Sequence, residues 1–234
     1  KAYIPNTSIK DNARFHRKQK IVMAVDLKNF FPSIKSGYVL SVFLRMGYNL
    51  ATAVMLTRLC CLRESLPQGA PTSAYLSNLV MLYFDEKISS YCVSHGIRYT
   101  RYADDLTFSG DFDVAAVLHL VDQELRYLNL KRNPQKLKIM HSYDSQRTTG
   151  IVVNEKQQLP REYRMKIRQE VHYIKKFGLD DHLAHIGESR SNYINHLLGK
   201  IRYALFINPN DSKMKSYWEI VSSYVSRNDL GDIH

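Results

Sequence analysis

Cysteine is scarce in this 234-residue chain. Its three thiols, Cys60, Cys61 and Cys92, form no C-x-x-C pair, and two of them are neighbours that could bridge one another only with awkward geometry. That pattern argues against a disulfide framework or a thiolate metal site and points to reduced thiols in a cytosolic protein. Long apolar runs are missing too. The longest, residues 79–84, is far too short to cross a bilayer, and no secretory leader is recognisable, so no membrane partner is expected. Because the chain starts at Lys1 rather than Met, a missing N-terminal segment is part of the expectation. Acidic residues are in deficit, 22 against 33 basic ones, for a net charge of +11. Such an excess draws polyanions, and nucleic acid is the commonest of these inside a cell. Charge alone leaves a merely basic soluble protein equally open. The apolar and charged fractions, 44% and 24%, are ordinary, and the length suffices for one large domain or two modest ones.

Repeats and low-complexity tracts are absent as well, so the organisation is read from periodicity. Residues 1–20 are basic. Residues 21–25 form a solid apolar, partly β-branched run, the signature of a buried strand, which ends at Asp26. Asn29-Phe30-Phe31-Pro32-Ser33 then breaks and turns the chain, since proline cannot continue a central ladder. Residues 39–58 carry helical periodicity interrupted at Gly47. Residues 67–71 read as a turn, with a helix from Thr72 or Ser73 whose apolar face is marked by Leu76, Leu79/Val80, Tyr83 and Lys87/Ile88. Residues 97–109 read as a hairpin around Ala103-Asp104-Asp105, 114–128 as an amphipathic helix, and 136–140 and 150–153 as short strands. Beyond Asn154 two helical stripes follow, one through Tyr163, Ile167, Val171 and Ile174, the other through Ile194, Leu197/Leu198, Ile201 and Leu205. The chain therefore predicts a mainly β/α unit over 1–154 and a helical unit over 155–234.

Extending a nucleic-acid strand needs a hydroxyl deprotonated and a pentacovalent phosphorus stabilised, which a pair of magnesium ions does together. Magnesium takes oxygen ligands, so a protein must converge two or three carboxylates on one point. A buried strand ending in Asp26, beside a hairpin tipped by Asp104-Asp105, supplies that arrangement. Like charges so close are costly unless cations neutralise them. Taken alone, Asp-Asp at a turn is ordinary turn chemistry, and Asp26 an ordinary strand end. The two together, each at the end of an apolar strand in a basic chain, favour the metal reading.

These residues fall into a known pattern. Tyr102-Ala103-Asp104-Asp105 resembles the Tyr-x-Asp-Asp box of reverse transcriptases, and Asp26-Leu27-Lys28-Asn29-Phe30-Phe31 resembles their first catalytic motif. Leu66-Pro67-Gln68-Gly69-Ala70-Pro71-Thr72-Ser73 is similar to the template- and nucleotide-facing motif between them. Within the family the likeness is to the retron reverse transcriptases of bacteria. Asn12-Ala13-Arg14-Phe15-His16 matches their Asn-Ala-x-x-His element, and Thr149-Gly150 resembles their Val-Thr-Gly element. Gly199-Lys200-Ile201 and Asn208-Pro209 also look like this group, so the resemblance covers nearly the whole chain. It implies an α+β, right-hand polymerase fold with incomplete fingers, a palm with a central antiparallel sheet, and a helical thumb.

The same resemblance implies roles. Asp26 and Asp104 would be ligands of two Mg2+ ions, with the Leu27 carbonyl assisting and Asp105 secondary. Phe31 would be a steric gate against a 2′-hydroxyl, Asn29 and Phe30 would offer backbone groups to the triphosphate, and Gln68 would sit against the nascent base pair. Lys136, in Asn133-Pro134-Gln135-Lys136, matches a late lysine that suits protonation of pyrophosphate. Thr149 and Gly150 would hold the primer end beside Tyr102, and Asn12, Ala13 and His16 would serve RNA recognition, although they also read as one face of a helix. Basic residues Lys166, Arg168, Lys175, Lys200 and Arg202 would cradle a heteroduplex. The implied partners are a structured non-coding RNA that is template and primer, its branched DNA product, dNTPs and a separate effector protein, in antiphage defence in the bacterial cytoplasm. Three departures stand out: Thr148 replaces a usual Val, Ala74 replaces a common Pro, and the earliest fingers strands are missing, as in an incomplete enzyme. The rival readings are an RNA-copying RNA polymerase and a catalytically silent, polymerase-derived RNA-binding scaffold.

Overall fold

The computed structural model describes residues 1–187 and 192–225. They divide into two compact units, one of Lys1–Thr149 with Val153–Glu155, the other of Gly150–Val152 with the chain from Lys156 onward. The last nine residues of the helical stretch expected over 155–234 lie outside the described residues, as do 188–191. The first unit runs α1 (Ile9–Phe15), β1 (Ile21–Asp26), α2 (Phe30–Ser33), α3 (Ser36–Arg45), α4 (Leu50–Cys60), α5 (Pro71–Val80), α6 (Leu82–Ser94), β2 (Arg98–Tyr102), β3 (Asp105–Gly110) and α7 (Val114–Tyr127). A 3-10 turn (Pro134–Lys136), β4 (Lys138–His141) and β5 (Arg147–Thr148) complete it. The second unit holds β6 (Ile151–Val152), α8 (Arg161–Phe177), α9 (Leu179–Ile186), α10 (Tyr193–Ile207) and α11 (Ser212–Ser222).

The class is α+β. Four antiparallel strands in the order β2-β3-β1-β4 make the sheet of the first unit. On one face Met23, Val25, Leu106 and Phe108 pack into a core with Phe84 and Ile88 of α6 and Val117, Val121 and Leu125 of α7. These helices start where the sequence supplies caps. Asp113 accepts the Ala115 and Ala116 amides at the start of α7, Asn49 accepts the Thr52 amide before α4, and Ser8 and Asp11 form a reciprocal capping box on α1.

The other face is covered at one end by α1, whose Asn12, Ala13 and His16 have no exposed surface. His16 is pinned by both ring nitrogens, Nδ1 to Ser109 Oγ and Nε2 to Thr100 Oγ1, each at 2.7 Å. Burial, with the Arg98 charge adding to it, pushes its pKa down from the usual 6.5 to about 3. The unfolded chain therefore takes up this proton first as pH falls. The stabilisation is complete above about pH 6.5 and drains away by about 1.4 kcal/mol per pH unit towards pH 3. His16→Gln, which cannot titrate, is expected to lose about 1.4 kcal/mol less than wild type between about pH 7 and about pH 5.5, measured by urea unfolding.

Several sequence expectations shift in detail. The segment after Asn29 is a one-turn helix rather than a plain turn, and Lys136 sits in the 3-10 turn ahead of β4 because Asn133 and Pro134 start that turn first. The helix expected from Thr72 or Ser73 starts one or two residues earlier, at Pro71, and breaks at Met81 into α5 and α6. The break shifts the buried stripe onto Phe84, leaving Tyr83 exposed. In the second unit α8 buries Ile167, Val171 and Ile174 as its spacing predicts, whereas α10 buries Ala204 in place of Leu205. The helices α9 and α11 were not expected from the sequence.

Candidate active site

Where β1 and β3 pair, Asp26 stands directly opposite Asp105. Cross-strand partners of this kind project from the same face of a sheet, so residues 79 positions apart in sequence share one spot. Asp104 lies in the two-residue connection between β2 and β3, which pair as far as Tyr102 and Asp105. Its carbonyl accepts the Leu27 amide at 3.0 Å, tying the hairpin tip to the end of β1. The tip closes with Ala103 at a φ of 57°, the positive value a tight hairpin demands and that Gly usually supplies. For an alanine this costs about 1 kcal/mol.

Beyond Asp26 the chain pairs with residues 131–133. The Lys28 amide donates to the Lys131 carbonyl at 2.8 Å and the Asn133 amide to the Asp26 carbonyl at 2.7 Å. That pairing delivers the 3-10 turn to the site, and Lys136 Nζ reaches Asp26 Oδ2 at 3.1 Å. The Asp26 carboxylate holds the exposed Lys136 ammonium above its ordinary pKa. Partial burial raises Asp104, with the Asp26 charge adding to it. Asp105 is open to solvent on one side, but the surrounding protein and then the Asp104 and Asp26 charges push its carboxyl up to about 6.

Residues 2–174 match the family of reverse transcriptases (RNA-dependent DNA polymerases). The chain is 34% identical to the retron Ec86 reverse transcriptase of Escherichia coli, over 88% of this chain and 61% of that protein. It is 32% identical to the retron Mx65 reverse transcriptase of Myxococcus xanthus, over 90% and 52%. With the retron Ec83 reverse transcriptase of Escherichia coli it shares 31% identity, over 89% and 69%. The chain belongs to the retron reverse transcriptases. It spans 61% and 52% of the length of the first two of these relatives.

The side-chain donors at the site are all carboxylate oxygens, the set a hard divalent cation takes. Among the described residues no three His, Cys, Asp or Glu side chains are grouped closely enough to hold a metal ion by themselves. Fit therefore rests on two observations: burial, with the neighbouring acidic charges adding to it, raises two of the carboxyls, and the Lys136 ammonium occupies an Asp26 oxygen as a cation would. Magnesium normally keeps water and substrate phosphate as its other ligands, so an incomplete protein shell suits it.

The remaining candidates fall in two groups. Leu27 is buried, directly after Asp26. Asn29, exposed and in the left-handed conformation, starts α2, where Phe30 is 3% exposed and Phe31 is half-buried against it with ring centroids 5.3 Å apart. Gln68 is exposed on the turn before α5, and that turn is joined to α2 through the Leu66 amide and Ile34 carbonyl at 3.1 Å. Tyr102 is half-buried opposite Asp105. Asn12, Ala13 and His16, on α1 and at its C-terminal end, lie along the same sheet face but are fully buried, so they can position neighbours without touching a ligand themselves. Thr149 has a φ of 47° and a buried hydroxyl that finds no partner among the described residues, and Gly150 follows at a φ of 80°. Among the described residues no helix is long and apolar enough to cross a membrane.

Proposed function

We propose that this chain carries the polymerase centre of an RNA-directed DNA polymerase of retron type, the first unit acting as palm with a remnant of the fingers and the second as thumb. The observation that carries the proposal is the convergence of Asp26, Asp104 and Asp105 through the β1–β3 pairing, in a chain of this family. Asp26 and Asp104 would hold two magnesium ions, with the Leu27 carbonyl assisting and Asp105 in a secondary place. When bound, such ions activate the attacking hydroxyl and offset the charge of the leaving pyrophosphate. Lys136 stands beside Asp26 to give a proton to that pyrophosphate. The backbone after Asp26, at Asn29 and Phe30, receives the triphosphate, Phe31 excludes a 2′-hydroxyl, and Gln68 packs on the nascent pair. Tyr102, Thr149 and Gly150 hold the primer end, while Asn12, Ala13 and His16 shape the RNA-facing side from beneath. Primer extension with magnesium, wild type against Asp104→Asn, tests the proposal. A wild-type protein that extends no primer would leave only the silent RNA-binding scaffold, and equal extension by both would remove Asp104 from the catalytic set.

The substrate in this reading is a structured non-coding RNA that primes from one of its own 2′-hydroxyls, giving RNA-linked branched DNA from dNTPs. An effector protein and antiphage defence in a bacterial cytoplasm complete it. Duplex backbone would be held by the exposed Lys166, Arg168, Lys175 and Arg202 of the second unit. Lys200 is already engaged with Glu170 at 3.0 Å and contributes less free charge than its sequence position suggests. With four phosphate contacts, template–primer affinity is expected to fall about tenfold when salt is doubled, in a fluorescence titration. A flat response would remove the charged cradle from the proposal.

A further inference from the structure

We infer that Arg101 is a positioning residue that braces the hairpin tip carrying Asp104 and Asp105, an inference that rests on the polymerase reading of those carboxylates. Arg101 precedes the tip by two residues and pairs with Leu106 in the β2–β3 ladder, so it faces the core side of the sheet, opposite to Asp26 and Asp105. A charged side chain there is 7% exposed and needs a full set of partners. It has them. Nε lies 2.9 and 3.1 Å from the two Asp85 carboxylate oxygens, and Nη2 lies 2.6 Å from one of them. Nη1 donates to Asn78 Oδ1 at 3.0 Å and to the Ala103 carbonyl at 3.1 Å.

The last bond is the one that matters for chemistry. Ala103 is the positive-φ residue that turns the tip, and its carbonyl is in the peptide unit that leads into Asp104. The guanidinium fixes that peptide from behind, and every other arm of the fork is anchored in helices rather than in the hairpin. Asp85 sits in the first turn of α6, held also by the Tyr99 hydroxyl at 2.7 Å. Asn78 sits on α5 and is oriented by its own bond to the Ala2 carbonyl at 2.9 Å. The rigid, planar fork therefore transfers the position of two packed helices to a strained two-residue turn, while Asp26 and Asp105 project from the opposite face. A lysine could keep the charge beside Asp85 but could not span Asp85, Asn78 and Ala103 in one plane.

The test is Arg101→Lys in the natural full-length protein, at a temperature where it and wild type are both fully folded. Single-nucleotide incorporation is expected to lose about tenfold in kcat, because sub-ångström misplacement of catalytic groups is expensive. The template–primer Kd should stay within about twofold, and the magnesium concentration for half-maximal rate should rise severalfold. Hydrogen exchange at the Leu27 amide, whose acceptor is the Asp104 carbonyl, should accelerate. Asn78→Ala, which removes one anchor and leaves the ion pair, should move the same readouts in the same direction by a smaller factor. Unchanged kcat, magnesium dependence and Leu27 exchange in Arg101→Lys would reduce Arg101 to a structural ion pair and overturn the inference. The exchange arm needs no turnover, so it decides the brace even if wild type extends no primer, an outcome that would instead defeat the polymerase reading.

Discussion

Asp104→Asn is expected to lower single-turnover nucleotide incorporation about 1000-fold, or about 4 kcal/mol of transition-state stabilisation, at saturating magnesium. The side chains are nearly the same size, and the contact that places residue 104 is made by its backbone carbonyl to the Leu27 amide, which the substitution keeps. The tip should therefore hold its position. Loss of the carboxylate also relieves repulsion. Burial and the Asp26 charge raise the Asp104 pKa, so at neutral pH its ionised form is a net cost to the fold, and the variant should unfold at the same temperature as wild type or slightly higher. A rate collapse with intact or improved stability is the combination that separates a metal ligand from a packing residue. In the variant the Asp105 carboxyl should also titrate closer to an ordinary aspartate, since one of the two like charges facing it is gone. A variant that incorporates nucleotides at the wild-type rate would leave the convergence of the three acids without a catalytic meaning.

How much of this was legible beforehand differs between strands and helices. The β1 run and the hairpin were readable because each is a short apolar segment with a carboxylate at its end, and their resemblance to two motifs of one family suggested that the ends meet. The pairing of Asp26 with Asp105 and the Leu27–Asp104 bond then depend on register, which an apolar strand fixes only in three dimensions. The stripe through α5 and α6 was misread at Tyr83 because a helix break inside an apolar run has no marker when neither Gly nor Pro is present, as at Met81. His16 shows the limit from the other side. The sequence singles out its spacing from Asn12 and Ala13, yet only coordinates reveal that both imidazole nitrogens are consumed by Ser109 and Thr100. Arg101 and Asp85 were missed altogether. Their one sequence signal is a charge on the inward-facing parity of a strand and another next to the buried Phe84 on α6, a pair of anomalies that explain each other.

Phe31→Ala should erase most of the discrimination between deoxyribo- and ribonucleotides. The ring is half-buried, and what lies beneath it gives it stiffness: Phe30 is 3% exposed, with its ring centroid 5.3 Å away and tilted by 58°. The α2 turn that carries both is closed by the Ser33 amide on the Asn29 carbonyl at 2.9 Å and the Ile34 amide on the Phe31 carbonyl at 3.1 Å. The Leu66 amide on the Ile34 carbonyl then fastens it to the turn bearing Gln68. In the proposed gate, a side chain seated on such a base would resist swinging aside for a 2′-hydroxyl, so that shape would select the sugar. Removing it is expected to raise kcat/KM for ribonucleotides until the preference falls about 100-fold, or about 2.7 kcal/mol, within the range that pocket shape supplies. Incorporation of deoxynucleotides should drop only about threefold, because the triphosphate contacts proposed for this loop come from backbone groups the substitution does not remove. Loss of a half-buried ring should also cost about 2 kcal/mol of stability, so the comparison belongs at low temperature with the folded fraction checked. If sugar preference survives in a folded Phe31→Ala enzyme, the wall lies elsewhere, and the distinction from an RNA-copying RNA polymerase loses the residue it depends on.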